Sequence, residues 1–217
     1  MVKKYKLVIF DLDGTLTDSA EGIVNSVQYA LAKLGIVEDD RYKLRAFIGP
    51  PLMDSFQKNY DLSSQQAWQA VQYYREYFAV NGMFENKVYD GIPSLLNRLQ
   101  NYGRLMAVAT SKPGVYAEQI LDHFNLLKYF DLVVGSNLDG SMTDKAQIIA
   151  LVLKSFEYLP LDEMIMVGDR THDVEGAQAN GIDVVAVTYG YASEEEFLCS
   201  RPSYLVDTVY ELEKLLG

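Results

Sequence analysis

Asp11 and Asp13 stand one residue apart in KLVIFDLDGTLTDS (Lys6–Ser19), directly after four apolar residues. A free carboxylate beside a core costs several kcal/mol unless it is paired or holds a cation. Three further polar groups follow apolar runs in the same way. Thr110, Ser111 and Lys112 follow RLMAVA, Lys145 follows FDLVVGS and the loop NLDGSMTD, and Gly168-Asp169 follows EMIMV, with Asp173 four residues on in GDRTHD. Together they supply carboxylates for a hard cation and hydroxyl and ammonium donors for an anion. That combination suits phosphate and a divalent ion such as Mg2+.

These groups converge only if the runs that carry them are neighbouring strands. Tyr5–Phe10, Arg104–Thr110, Phe130–Ser136, Glu163–Asp169, the DVVAVTYG segment and SYLV read as short buried strands. Helical spacing separates them, near Tyr116–Phe124, Lys145–Phe156 and Asp173–Asn180, with a short helix at SEEEFLC and a last one near Val209–Leu216. Alternating strands and helices predict an α/β fold, a doubly wound parallel sheet whose ligands sit at the carboxyl ends of the strands. The first strand is cut off from the rest by a segment without a convincing strand. There, Ile23, Val27, Ala30, Leu31 and Leu34 keep helical spacing up to Gly35. A second helix opens at Ser63, where Ser63 and Gln66 form a possible capping box, with an apolar face of Ala67, Val71, Tyr74 and Phe78. The expected organisation is a core of residues 1–15 and 87–217 with an inserted all-helical cap of residues 16–86.

Composition limits the partners. The 217 residues carry a net charge of −11, which repels nucleic-acid backbones and makes a nucleic acid polymer an unsuitable partner. An anionic substrate then needs local cations at its site. Cys199 is the only cysteine, so no intrachain disulfide forms, which suits a reducing cytoplasm. Its acidic neighbours in EEEFLCSRPS disfavour a thiolate nucleophile. The apolar run before Asp11 is too short for a secretion signal, and no stretch approaches the roughly 20 apolar residues of a membrane span.

The motifs DLDGTLTDS, TSK, a lone downstream lysine and GDRTHD, in this order and spacing, resemble those of the haloacid dehalogenase-like hydrolases. Cap placement is similar to the phosphoglycolate-phosphatase-type branch of that superfamily. The resemblance implies a Rossmann-like core, a Mg2+ cofactor and hydrolysis of a small phosphorylated metabolite through an aspartyl-phosphate. It implies Asp11 as nucleophile and Asp13 as general acid and base. Mg2+ would be held by Asp11, the Asp13 backbone carbonyl and Asp169, with Asp173 assisting, and phosphate by Thr110, the Ser111 amide and Lys145. In similar proteins the cap loop RAFIGPPL faces the substrate, so Arg45, Phe47, Ile48 and Gly49 are expected to select the leaving group. The resemblance leaves phosphoglycolate, a nucleoside 5′-monophosphate, pyrophosphate or a sugar phosphate as substrates. A phosphomutase, a pyrophosphatase or a non-catalytic regulator on the same scaffold are the alternatives. His172 is expected to be an exposed loop residue and His123 a helix-end residue. Trp68, Tyr73, Tyr74, Tyr77 and Phe78 are expected in the cap core, and Lys112 either packs, meets the cap or touches ligand.

Overall fold

The computed structural model describes residues 5–192 and 194–217. Met1–Lys4 and Ser193, the first residue of the expected SEEEFLC helix, lie outside them. The chain divides into two compact units, residues 1–17 with 88–217, and residues 18–87. The pair β2 (Thr17–Asp18) and β3 (Lys87–Val88) forms a two-stranded ribbon where the chain passes between them.

The larger unit is built on a six-stranded sheet. Its strands are β1 (Leu7–Phe10), β4 (Leu105–Pro113), β5 (Leu132–Ser136), β6 (Met164–Gly168), β7 (Asp183–Val187) and β8 (Tyr204–Val206). They run parallel in the order β5-β4-β1-β6-β7-β8. Strands buried on both faces must be apolar throughout, and LVIF and MIMVG meet that requirement. The connecting helices are α4 (Ile92–Asn101), α5 (Gly114–His123), α6 (Lys145–Ser155), α7 (Thr171–Ala179), α8 (Glu194–Ser200) and α9 (Val209–Leu216). One face of the sheet buries Leu7, Ile9, Ala107, Ala109, Met164 and Met166 against Ile148, Ile149 and Val152 of α6 and Val174 and Ala177 of α7.

The sequence reading missed α4, although its signals are present. Pro93 stands in the first turn, and Ile92, Leu95, Leu96 and Leu99 form one buried stripe. Two expected strands also end differently. The expected strand ending at Thr110 runs on to Pro113, and DVVAVTYG leaves the sheet after Val187.

The smaller unit is helical: α1 (Ala20–Lys33), α2 (Leu52–Tyr60) and α3 (Ser64–Tyr77), with a 3-10 turn at Lys43–Phe47 and a π-helical turn at Phe78–Gly82. α2 begins straight after Pro50-Pro51 and was not separately expected. The Ser63–Gln66 capping box forms: Gln66 N–H donates to Ser63 Oγ at 3.3 Å and Ser63 N–H to Gln66 Oε1 at 3.0 Å. Tyr74 and Phe78 stack in the unit's core at 5.3 Å between ring centroids. Trp68 departs from the expected aromatic core: it is 44% exposed, with the Arg75 guanidinium 5.9 Å from its ring centre.

Candidate active site

Parallel pairing sets the geometry. Phe10 lies level with Val108 on β4 and Val167 on β6. Asp11 therefore follows one residue beyond the paired positions, and Thr110 and Asp169 two beyond. From β1 the chain builds β4 and β5 outward on one side and then crosses back from β5 to build β6, β7 and β8 on the other, so strand order reverses beside β1 and the crevice opens at the carboxyl ends of these strands.

After Asp11 the chain coils. Gly14 N–H donates to Thr17 O, and the amides of Leu16 and Thr17 turn back to Leu12 O. Gly14 has φ +85°, a conformation that favours glycine. It is also glycine for lack of space, because a Cβ there would overlap the Asp169 carboxylate. The sequence pointed to the bend and not to this contact.

Lys145 opens α6 behind Asp144, whose side chain caps the helix by accepting from Gln147 N–H at 3.0 Å. Its stem passes Gly176 of α7, where a Cβ would press on Lys145 Cγ at 3.0 Å. The buried ammonium has three partners: Asp11 Oδ1 at 2.9 Å, Asp173 Oδ1 at 2.8 Å and Ala109 O at 3.0 Å. These match the three donors an ammonium offers, so its position is fixed. Asp173 Oδ2 also accepts from Arg170 N–H at 3.0 Å at the start of α7. Asp173 is therefore both a helix cap and a partner of Lys145. His172 is exposed, as expected, but it lies in the first turn of this helix and not in a loop.

Asp11, Asp169 and Asp173 each offer an oxygen, and these oxygens lie within 4.8 Å of one another. Burial pushes the Asp11 carboxyl up to about 6; Lys145 opposes this, and Asp173 and Asp13 add to it. Burial, then repulsion from Asp173 and Asp11, raises Asp169 well above the usual carboxylate range. Burial alone would pull Lys145 down, but Asp11 and Asp173 together more than reverse this and hold it charged.

Thr110 is buried at the end of the regular part of β4. Ser111 Oγ donates to Thr143 O at 3.3 Å, so the hydroxyl is engaged with that carbonyl. Lys112 lies against Asp13, Nζ to Oδ2 at 2.8 Å, with both side chains nearly buried. Sequence reasoning left the role of Lys112 open.

The segment after β7 also escaped it. Tyr191 N–H donates to Asp169 Oδ2 at 2.7 Å, and the Tyr189 hydroxyl donates to Thr15 O at 3.1 Å. A Cβ at Gly190 would overlap Asp169. The polar-residue-at-strand-end signal, applied to β7 as to the other strands, would have found them.

The donor set suits a divalent cation. With every group ionised, Asp11, Asp13, Asp169 and Asp173 against Lys112 and Lys145 would leave two negative charges in excess; burial and this repulsion together raise Asp11 and Asp169, and a bound cation would relieve the repulsion. Asp13 Oδ1 and Asp169 Oδ1 are buried and accept no hydrogen bond among the described residues. Hard carboxylate oxygens with unused lone pairs are the ligands such an ion prefers.

In the smaller unit, Arg45 and Gly49 are exposed, and Ile48 is buried. Phe47 is buried edge-on to Phe56 at 4.8 Å between centroids. It serves the unit's packing and has almost no free surface to offer a substrate.

A doubly wound parallel sheet that gathers four carboxylates and two lysines at its carboxyl edge offers oxygen ligands for a cation and ammonium donors for an anion. Residues 8–187 match the haloacid dehalogenase-like hydrolase family, and the chain belongs to it. A 5′-nucleotidase from Pseudomonas aeruginosa is 46% identical over 98% of this chain and 96% of its own. The tyrosine-protein kinase PtkA of Mycobacterium tuberculosis is 39% identical over 98% of this chain and 72% of its own. A phosphoglycolate phosphatase from Aquifex aeolicus is 32% identical over 93% and 95%. A crystal structure of a predicted phosphatase from Clostridium acetobutylicum superposes with a TM-score of 0.92 at 49% identity, covering 97% of each chain.

Proposed function

We propose that this protein is a Mg2+-dependent phosphatase that hydrolyses a small phosphomonoester through an aspartyl-phosphate. The observation that carries this is the cluster of Asp11, Asp169 and Asp173 oxygens within 4.8 Å, with Lys145 bridging Asp11 and Asp173. In this reading an Asp11 oxygen attacks phosphorus. The bond to the leaving alkoxide breaks as Asp13 delivers its proton. Asp13 then takes a proton from water, whose oxygen attacks the same phosphorus. The bond to Asp11 breaks, and inorganic phosphate leaves.

Magnitude requires more than proton transfer. Monoester hydrolysis demands accelerations up to about 10²¹-fold, and general acid help supplies only about 10²–10⁴. Charge stabilisation must supply the rest. Lys145 offers one fixed positive charge beside the nucleophile, while Thr110 and the Ser111 amide would orient the phosphoryl oxygens. Asp11, Asp169 and the Asp13 carbonyl would hold Mg2+, with Asp173 orienting Lys145. Once bound, the ion would neutralise the carboxylate excess and the charge developing on the phosphoryl group.

The substrate proposed first is a nucleoside 5′-monophosphate. The support is the name and near-complete coverage of the 46%-identical relative. The helical unit, residues 16–86 in the sequence reading, acts as the cap. Its loop from Arg45 to Gly49 selects the leaving group, with exposed Arg45 as the contact and Phe47 holding the loop in place. No helix among the described residues is long and apolar enough to cross a membrane. A single, exposed cysteine suits the reducing cytoplasm.

Phosphate release from a panel of nucleoside monophosphates, phosphoglycolate, sugar phosphates and pyrophosphate, with Mg2+ and with EDTA, tests this. Nucleoside monophosphates should give the highest kcat/KM, and EDTA should abolish turnover. A larger kcat/KM on phosphoglycolate would reject the substrate assignment. No Mg2+-dependent turnover of any ester would favour a regulatory protein on a hydrolase scaffold.

A further inference from the structure

We propose that Lys112 is a positioning residue for Asp13, aimed at it by a bulge built into β4. The inference rests on the reading of Asp13 as general acid and base.

β4 and β5 pair regularly up to Thr110↔Gly135, and the next pair is Pro113↔Ser136. Three residues advance on β4 while one advances on β5, so Ser111 and Lys112 are extra. Bulges of this kind re-aim side chains, and they concentrate beside active sites. Here the bulge is braced on several sides. Ser136 Oγ donates to Ser111 O at 2.8 Å, Ser111 Oγ donates to Thr143 O at 3.3 Å, and Lys112 N–H donates to Thr110 Oγ1 at 3.2 Å. A side chain at Gly135 would overlap Lys112 O, so the glycine leaves room for the bulged backbone. The result sends the Lys112 side chain inward to Asp13 Oδ2 at 2.8 Å, with 6% of the lysine side chain and 12% of the aspartate side chain exposed.

Long lysine side chains are rarely buried without a partner that repays desolvation. The pair holds Asp13 by one oxygen only. Its other oxygen, Oδ1, is buried and accepts no hydrogen bond among the described residues. The ammonium fixes the carboxylate by Oδ2 and leaves Oδ1 to carry the proton between leaving group and water. Misplacing a catalytic group by about 1 Å costs about 10²-fold, which sets the size of effect expected when the tether is cut.

A double-mutant cycle tests this. Lys112→Met should lower kcat about 10–100-fold with KM within about threefold of the wild type. In the Asp13→Asn background the same change should cost less than about threefold, because the group it acts through is already gone. Lys112→Arg keeps the charge with displaced donors; it should recover part of kcat in the first background and change nothing in the second. It also keeps the cycle readable if Lys112→Met does not fold. Equal losses with and without Asp13 would overturn the proposal, as would a wild-type kcat in Lys112→Met. A raised KM with unchanged kcat would overturn it too, by making Lys112 a substrate contact. Near wild-type turnover in Asp13→Asn alone would instead remove Asp13 from its acid–base role, a failure of the underlying reading that is seen before Lys112 is touched.

Discussion

The surroundings of Asp11 work against its ionised form. Its carboxyl is pushed up to about 6, first by burial, so the metal-free folded chain binds that proton more tightly than the unfolded chain does. Stability therefore rises as pH falls from 7 through about 6, and the gain from this group is complete near the ordinary carboxylate value. Asp169 titrates in the same direction. Metal-free protein should thus be more resistant to urea at pH 5 than at pH 7. Asp11→Asn should abolish turnover, keep the native circular dichroism, and weaken that pH dependence. Substantial residual turnover would take Asp11 out of the nucleophile position. These effects could not be read from DLDGT alone, because desolvation depends on β4 and β6 lying on both sides of β1.

Among the elements, α1 shows how a close approach overrides propensity. Gly22 is the third residue of α1, in its first turn, and alanine is the stronger helix former of the two. A Cβ at Gly22 would, however, overlap Gly82 O in the π-helical turn, and Gly22 N–H donates to Glu85 O at 3.0 Å. Overpacking against backbone costs about 1–3 kcal/mol, so Gly22→Ala should lower the urea midpoint of the helical unit. An unchanged or raised midpoint would show that the turn relaxes freely. Local signals served unevenly at this level. The Ser63–Gln66 box is a sequence-local device, and it forms as read. The π-helical turn and the bulge at Ser111–Lys112 depend on the surfaces opposite them, and nothing in the local sequence marks them. α4 had local signals that went unread.

For the whole molecule, the relevant quantity is charge. A chain at −11 places four carboxylates and two lysines at one sheet edge. A dication that binds only the folded state stabilises it by mass action, about 2.7 kcal/mol at one hundred times its Kd. For a chain of this size that is roughly 5–10 °C in Tm. Thermal denaturation with Mg2+ and with EDTA should show such a shift, and Asp169→Asn should remove most of it. Equal melting curves for the wild type would mean that the carboxylate cluster holds no ion.

Sequence alone carried the α/β alternation, the parallel sheet and the residue types for metal and phosphate, because short apolar strands and their polar ends are written in local order. It also carried the family resemblance, since the four motifs keep their order along the chain. Partners were decided only when the strands came together. Lys145 bridging Asp11 and Asp173, Lys112 on Asp13, and Tyr191 on Asp169 join residues 22 to 134 positions apart in the chain. Contacts at that separation arise from strand order and register, and a linear pattern does not encode either.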